Sequence, residues 1–554
     1  MRGPHKRFLA ILFFLRSSKM NRPKTTFDFI HLFAMVLSLF LSACSQTSPV
    51  PNHHTQKSLT LLPPKKAPLL QYLSHTDRKL GNHSAFYSLA DPNDALAARI
   101  FLIDHATASL DVQYYIYEDD KTGNFFSYHL LKAAQRGVKV RILLDDLITS
   151  GKDKKLAILA SHPNIELRLF NPNHLRRSLR NMALLFDIDH LGKRMHNKAL
   201  IADGSAAIIG GRNIGDVYYA ANSKTLFLDY DILAIGKVVP DIYRSFDLYW
   251  NSKEAVPSND ILADNLNTKK YYHVEKQHTE AVKEFLHSPA GKAMSHSRFL
   301  NDISEKRVRM VVSGRTDFYY DYPEKVNTDT NDNRTHISAQ VSEDLKHVTH
   351  DLIIVSPYFI PGQEMMEKLH SLRKKNIKVT IVTNSLASTD VFPVYSGYKW
   401  YIKDLLQMGI ELYELKPQSL NLYFKKNKID KHLHTSLHTK MMLLDSNRLV
   451  VGSANVDPRS DKLNTETLMI ISSKKLAKVQ RSKFMKILTE EYFYRLSWEK
   501  YPLDANDDGR AEYGPVWHTL QKGKEKVYYT PPHAGFFKTL GTDILSFLPI
   551  EGYL

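Results

Sequence analysis

The chain has 554 residues, 43% of them hydrophobic, and 75 Lys and Arg against 58 Asp and Glu give a formal net charge of +17. That length exceeds one ordinary core and implies two domains plus extras, while the apolar fraction excludes global disorder. The basic excess favours polyanionic partners such as nucleic acid, anionic lipid head groups or another phosphate-rich surface, and the single cysteine, Cys44, excludes an intramolecular disulfide.

Cys44 closes an apolar stretch that begins at Phe29 and follows Arg22 and Lys24. A basic flank, an apolar run short of the roughly 20 residues a bilayer requires, and a small-residue junction predict a signal peptide over residues 1–44. Leu41-Ser42-Ala43-Cys44 resembles the lipobox of bacterial lipoproteins, whose cysteine is acylated and becomes the mature N-terminus. That resemblance implies membrane association through Cys44, on the periplasmic or outer side, with the inner membrane as the alternative. A short anchor ending by chance at a buried cysteine is the competing reading. A second apolar run, Phe8 to Leu15, makes Met20 a candidate start. Residues 45–80, with Pro49, Pro51, Pro63, Pro64 and Pro68, read as a flexible tether.

The body then repeats itself. Ser109 to Tyr117 is rich in β-branched and aromatic residues and predicts a strand; a helix follows over Phe125–Arg136 and a second strand over Val138–Leu144. The same order recurs at Leu352–Tyr358, a helix through Lys374, and Ile377–Val382. Leu110 and His196 stand 86 residues apart, and so do Leu352 and His438. Equal spacing between independent landmarks argues for duplication, and strand–helix–strand order for parallel pairing. The expected fold is α/β: two duplicated α/β/α domains over 81–251 and 346–500, forming a pseudo-dimer with one site at their interface. Polar residues 252–345 read as linker and surface insertion, with some helix around Glu280 to Met294, and 501–554 as a C-terminal extension.

Each half carries a His-x-Lys-x4-Asp motif: His196, Lys198 and Asp203, then His438, Lys440 and Asp445. Each motif predicts an apolar strand, a turn at the Asp, and a return strand ending at Gly210-Gly211-Arg212-Asn213 or Gly452-Ser453-Ala454-Asn455. In extended backbone, His and Lys two residues apart share a face, so one can act on phosphorus or a proton while the other holds a phosphate oxygen. Asp203 and Asp445, at the turns, read as structural members of the motif. Gly211, Asn213, Ser453 and Asn455 return beside the His-Lys pairs as candidate phosphate-pocket residues. The histidines need orienting carboxylates; Glu466 follows His438 by 28 residues, and Asp231 follows His196 by 35, with Asp229 as second choice. One such motif arises by accident on a surface strand; two, with Gly and Asn at matching offsets, do not.

These residues resemble the paired motifs of the phospholipase D superfamily across residues 85 to 500. Ser109 to Asp120, Gly211 to Asp216, Tyr249 to Ser252, Gly452 to Ser460 and Leu545 to Glu551 resemble the bacterial cardiolipin synthases within it. The resemblance implies phosphatidyl transfer without metal or cofactor, on phospholipid substrates at a membrane surface. One histidine would take the phosphatidyl group and the other would protonate the departing alcohol, with Lys198, Lys440, Asn213, Asn455 and Ser453 on the non-bridging oxygens. His196 is expected as nucleophile and His438 as acid/base. Water as acceptor gives phosphatidic acid and a phosphatidylglycerol hydroxyl gives cardiolipin; no motif decides between them. The superfamily also contains nucleases, which the charge would suit, but the secretion signal and the Gly211–Asp216 likeness speak against a nucleic-acid partner. Asp504 to Gly509 matches half a calcium loop and reads as a polar turn, because Pro515 stands where the bidentate Glu belongs. Phe536 to Leu548 reads equally as a membrane-lying amphipathic segment or a docked terminal helix.

Overall fold

The computed structural model describes residues 57–63, 67–73, 75–173, 192–222, 224–262, 279–330, 336–419, 433–501, 513–547 and 552. The signal peptide with Cys44 and the Asp504–Gly509 turn lie outside the described residues.

Near-continuous apolar strands signal a sheet covered on both faces, and two such sheets form. In the first, the strands run in the order Ser84–Leu89, Asp231–Gly236, Ala206–Gly210, Ala199–Ala202, Ser109–Tyr114, Lys139–Asp145, Ile165–Phe170. The second repeats that order with Thr316–Tyr320, Thr467–Ser472, Arg448–Gly452, Met441–Leu444, Asp351–Val355, Lys378–Asn384, Glu411–Leu415. Ser109–Tyr114 pairs parallel to Lys139–Asp145, as Asp351–Val355 does to Lys378–Asn384, each joined by the expected crossover helix, Lys121–Gln135 or Gly362–Lys374. Asp91 caps the helix Pro92–His105 by accepting from the amides of Asn93 and Asp94, and Pro92 fills a first-turn position that needs no donor.

Outer helices cover one face of each sheet. The inner faces meet in a shared core that joins Ile201, Ile209 and Ile232 of the first half to Ile353, Leu443, Val451 and Met469 of the second, with the helices Val239–Trp250 and Lys474–Ile487. A short parallel pair, Thr225–Leu228 with His434–Leu437, also crosses between halves. The expected pseudo-dimer is therefore one continuous packing unit.

The tether is shorter than the composition implies. Arg141, buried with Asp111 and Asp247, needs further acceptors and donors around it, and residues 58–60 supply them. Thr60 Oγ1 donates to Asp111 Oδ2 (2.7 Å) and accepts from Arg141 Nη2 (2.8 Å), and Ser58 O accepts from Arg141 Nη1 (3.0 Å). Leu69 and Leu73 are fully buried. Thr60→Val is expected to cost about 1–3 kcal/mol in a denaturant titration, against less than about 0.5 for a residue in a loose tether.

Residues 252–345 are likewise more than linker. The helix expected around Glu280 to Met294 is present as residues 279–287 and Pro289–Ser295, and beyond it Val311–Val312 extends the first sheet and Thr316–Tyr320 the second. The C-terminal extension adds two strands, Tyr513–Gln521 and Lys524–Tyr528, to the second sheet.

Candidate active site

Both motifs fold as the alternation predicts from the lysine onward. Ala199–Ala202 and Ala206–Gly210 form a hairpin whose turn holds Asp203 (φ 53°) and Gly204 (φ 54°); Asp445 and Ser446 (both φ 52°) repeat the turn. These left-handed conformations suit Asp and Gly in the three-residue connections 203–205 and 445–447. His196 to Lys198 and His438 to Lys440 themselves lie just ahead of the strands, in backbone tied across the two halves. His196 N donates to Thr465 O (2.9 Å), and His438 N donates to Leu228 O (2.7 Å).

Each histidine is anchored from its own half as well. Asp145, at the end of its strand, accepts from Met195 N (2.8 Å) and Arg194 Nε (2.8 Å). Asn384, at the end of the matching strand, brackets Leu437 by accepting from its N (2.8 Å) and donating to its O (2.9 Å). The backbone immediately before both histidines is thereby fixed.

The orienting carboxylates come crosswise. His196 Nδ1 lies 3.0 Å from both oxygens of Glu466, and His438 Nδ1 lies 2.5 Å from Asp229 Oδ2. Glu466, placed by spacing in the second half's own site, serves the first half's histidine. Asp231, the first choice for the other histidine, is not there: it is buried with Arg99 Nη2 (2.9 Å) and Arg212 Nη1 (3.1 Å). Sheet register gives the reason. Asp231 pairs with Gly210 and Leu468 with Gly452, so the residues two positions earlier, Asp229 and Glu466, occupy equivalent places.

Gly211 and Ser453 complement the two carboxylates. A Cβ at Gly211 would stand 2.1 Å from Asp229 Oδ1, so only glycine lets the shorter Asp approach. At the matching position, Ser453 Oγ donates to Glu466 Oε2 (2.5 Å), and Ser460 Oγ donates to Oε1 (2.8 Å). Behind them Asp321 accepts from Glu466 N (2.9 Å) and pairs with the buried Lys325 (2.9 Å).

Two matching halves surround one composite site. A family description reading "Cardiolipin synthase, PLD-like domain" matches residues 100–250 and 341–488. The chain belongs to the phospholipase D-like cardiolipin synthase family. It is 36% identical over 472 residues to cardiolipin synthase C of Escherichia coli (strain K12), covering 83% of this chain and 94% of that protein. It is 23% identical over 314 residues to cardiolipin synthase 1 of Staphylococcus epidermidis, covering 56% and 51%. Among solved structures, phosphatidylserine synthase of Haemophilus influenzae Rd KW20 shares the fold, with a TM-score of 0.50 at 13% identity, covering 77% of this chain and 91% of that one. The chain is an enzyme of the phospholipase D superfamily.

Within this cardiolipin synthase fold the motif aspartates are structural. Asp203 accepts from the amides of Thr107, Ala108 and Ser109, and Asp445 from those of Thr349, His350 and Asp351. They hold the neighbouring strand's first residues rather than only their own turn.

Of the four expected phosphate-pocket residues, three have other tasks. Gly211 makes room for Asp229, and Ser453 holds Glu466. Asn213 accepts from Ile116 N (3.0 Å) and donates to Tyr218 Oη (2.9 Å). Asn455 hydrogen-bonds Asp457, and its buried Oδ1, which can only accept, has no hydrogen-bond partner among the described residues.

The electrostatics favour an anionic guest. Burial holds Lys198 and Lys440 below the ordinary lysine range, and each lies in the other carboxylates' field. Among the described residues each ammonium donates to its own histidine's carbonyl, Lys198 to His196 O (2.5 Å) and Lys440 to His438 O (2.7 Å), and Lys198 also faces the Tyr115 ring at 5.4 Å. Burial and the lysines also depress both imidazoles, while Glu466 stays ionised because His196, Lys198 and Ser453 outweigh its own burial. A phosphodiester anion would satisfy the remaining lysine donors and draw both charges up. Aromatic rings wall the histidines: Tyr115 meets His196 edge-on at 5.1 Å, and Phe227 stacks on His438 at 5.4 Å. No motif pointed to Ser460, Asp321 or Lys325, nor to Asp390, whose charge raises the His438 pKa; Ser460 alone stood in a segment that carried the resemblance.

Proposed function

We propose that this chain is a phosphatidyl transferase of cardiolipin synthase type, moving a phosphatidyl group from one phospholipid to a phosphatidylglycerol hydroxyl. The observation that carries the reading is the crossed pair His196–Glu466 and His438–Asp229. A carboxylate on each Nδ1 holds that proton, so His196 reacts as the neutral imidazole with Nε2 free, and His438 starts as imidazolium with a second proton on Nε2. His196 Nε2 attacks phosphorus, the bond to the leaving alcohol breaks, and His438 gives that alcohol its proton. The acceptor hydroxyl then loses a proton to His438 and attacks phosphorus, and the bond to His196 breaks. Lys198 and Lys440 donate to the phosphate oxygens.

The two carboxylates differ in a way that supports this division. Glu466 shares its charge with two serine hydroxyls, which weakens its pull on His196 and suits a neutral nucleophile. Among the described residues Asp229 accepts no serine hydroxyl, only Tyr230 N (2.8 Å) at Oδ1, and Asp390 adds to its field at His438, which suits an imidazole that must take a proton. The similarity to cardiolipin synthase C favours phosphatidylglycerol over water as acceptor, and the sequence of residues 1–44 supports attachment through Cys44.

The test is product analysis by mass spectrometry with phosphatidylglycerol as substrate. Cardiolipin is the expected product; phosphatidic acid alone would indicate the hydrolase, and DNA cleavage without lipid turnover would overturn both. His196→Ala and His438→Ala should each abolish turnover. With a nitrophenyl leaving group, which needs no acid, His438→Ala should still retain labelled phosphatidyl group and His196→Ala should not; the reverse pattern would exchange the two roles.

A further inference from the structure

Among the described residues no helix is long and apolar enough to cross a membrane, yet one short helix leaves its apolar side uncovered. The helix Phe536–Ser546 exposes Phe536 (74%), Phe537 (85%), Leu540 and Ile544, and Phe547 (79%) follows it. Spacings of three to four residues put these on one side of the helix. Trp400 (57% exposed), tied to the helix at Ser546 O, and Val391, which precedes the Phe392 that packs on Gly541, are exposed on the neighbouring segment. Exposed aromatic and aliphatic side chains grouped in this way are rarely left to water.

Its position ties it to the reaction. The helix packs on Phe392–Tyr398, where Lys399 Nζ meets Asp543 (2.6 Å) and Trp400 Nε1 donates to Ser546 O (3.1 Å). Lys538 Nζ donates to Thr389 O (3.3 Å), beside Asp390. Asp390 accepts from Tyr358 Oη (2.9 Å), and its charge reaches His438 and Lys440. The uncovered helix thus stands at the rim of the site on the His438 side.

We propose that this helix, with Trp400 and Val391, is a bilayer-docking surface that seats the mouth of the active site on an anionic phospholipid membrane. The inference rests on the phospholipid-transfer reading above, because a substrate held in a bilayer must reach a site that cannot itself enter one. Eleven helical residues extend only about 16 Å, enough to lie in the interface and too short to span it. Phe and Trp are the side chains that partition there, and the chain's net charge of +17 complements an anionic surface.

Trp400 reports the contact directly. With the full chain on phosphatidylglycerol vesicles carrying brominated acyl chains, tryptophan emission should be quenched, and Trp400→Phe should remove most of that quenching. The double substitution Phe537→Glu with Phe547→Glu should abolish the Trp400-dependent quenching and lower turnover on vesicles about tenfold or more. Turnover of short-chain phosphatidylglycerol below its micellar concentration should be unchanged, which separates docking from damage to the site. Unchanged quenching in the double variant, equal losses on both substrates, or burial of Trp400 in a dimer seen by sedimentation would overturn the proposal. Quenching with no lipid turnover by the unaltered chain would instead refute the transfer reading and leave the docking surface standing.

Discussion

Asp229→Asn should leave the protein folded and lower turnover by about 10^3- to 10^4-fold, the scale of losing a carboxylate that fixes a catalytic imidazole. Asp229 Oδ2 sits 2.5 Å from His438 Nδ1, and the Asp229 side chain is fully buried. An amide at this place keeps the shape but removes the charge that stabilises imidazolium, and it can present a donor that favours the wrong tautomer. The pH profile distinguishes this from general damage. Asp229 raises the His438 pKa against the lowering by burial and Lys440. Its removal lets that pKa fall further, so the limb governed by His438 moves to lower pH. Steady-state rates across pH for the two proteins check it, and an unmoved limb would assign Asp229 a purely structural role.

Asp231→Asn should instead strike stability. Asp231 is fully buried and lies against Arg99 and Arg212, themselves only 1% exposed. Removing the shared anion leaves two buried guanidiniums without their counter-charge, at a cost of about 3–5 kcal/mol. Arg99 keeps Tyr114 Oη and Ala95 O, and Arg212 keeps the carbonyls of Leu89, Ala90 and Asp229, so collapse need not be complete. Chemical denaturation should register the loss, while the rate per folded molecule should fall far less than for Asp229→Asn. A variant of ordinary stability with a 10^3-fold lower rate would reverse the two assignments.

These contrasted aspartates mark the limit of what patterning conveys. Asp229 and Asp231 are two residues apart, share a strand face by parity, and precede the same apolar run. Periodicity therefore ranks them equally. The register of Asp231 against Gly210 separates them, and register depends on the whole sheet. Crossed service of the histidines was illegible for a related reason: Glu466 lies 28 residues from His438 and 270 from His196. Nothing local in the chain reveals that the larger separation is the bonded one.

The 252–345 segment failed to declare itself because its contribution is small in sequence and large in context. Its strands Val311–Val312 and Thr316–Tyr320 are short edges, and Asp321 and Lys325 look like ordinary surface charges until the fold buries both. Likewise the tether's Ser58 and Thr60 are polar residues whose partners stand far away on Arg141, Asp111 and Asp247.

The two halves, the strands and crossover helices within them, the His-Lys pairs, and the turn-forming role of Asp203 and Asp445 were legible along the chain. Each of these follows from local periodicity, residue chemistry or repetition, which act over a few positions or recur at fixed spacing. Only the tertiary structure decided which carboxylate meets which histidine, why position 211 must be glycine while 453 is serine, and that Asn213 serves Ile116 and Tyr218. Those outcomes depend on two inner sheet faces meeting across a shared core, and side-chain reach across that interface is a property of packing distances that no single half encodes.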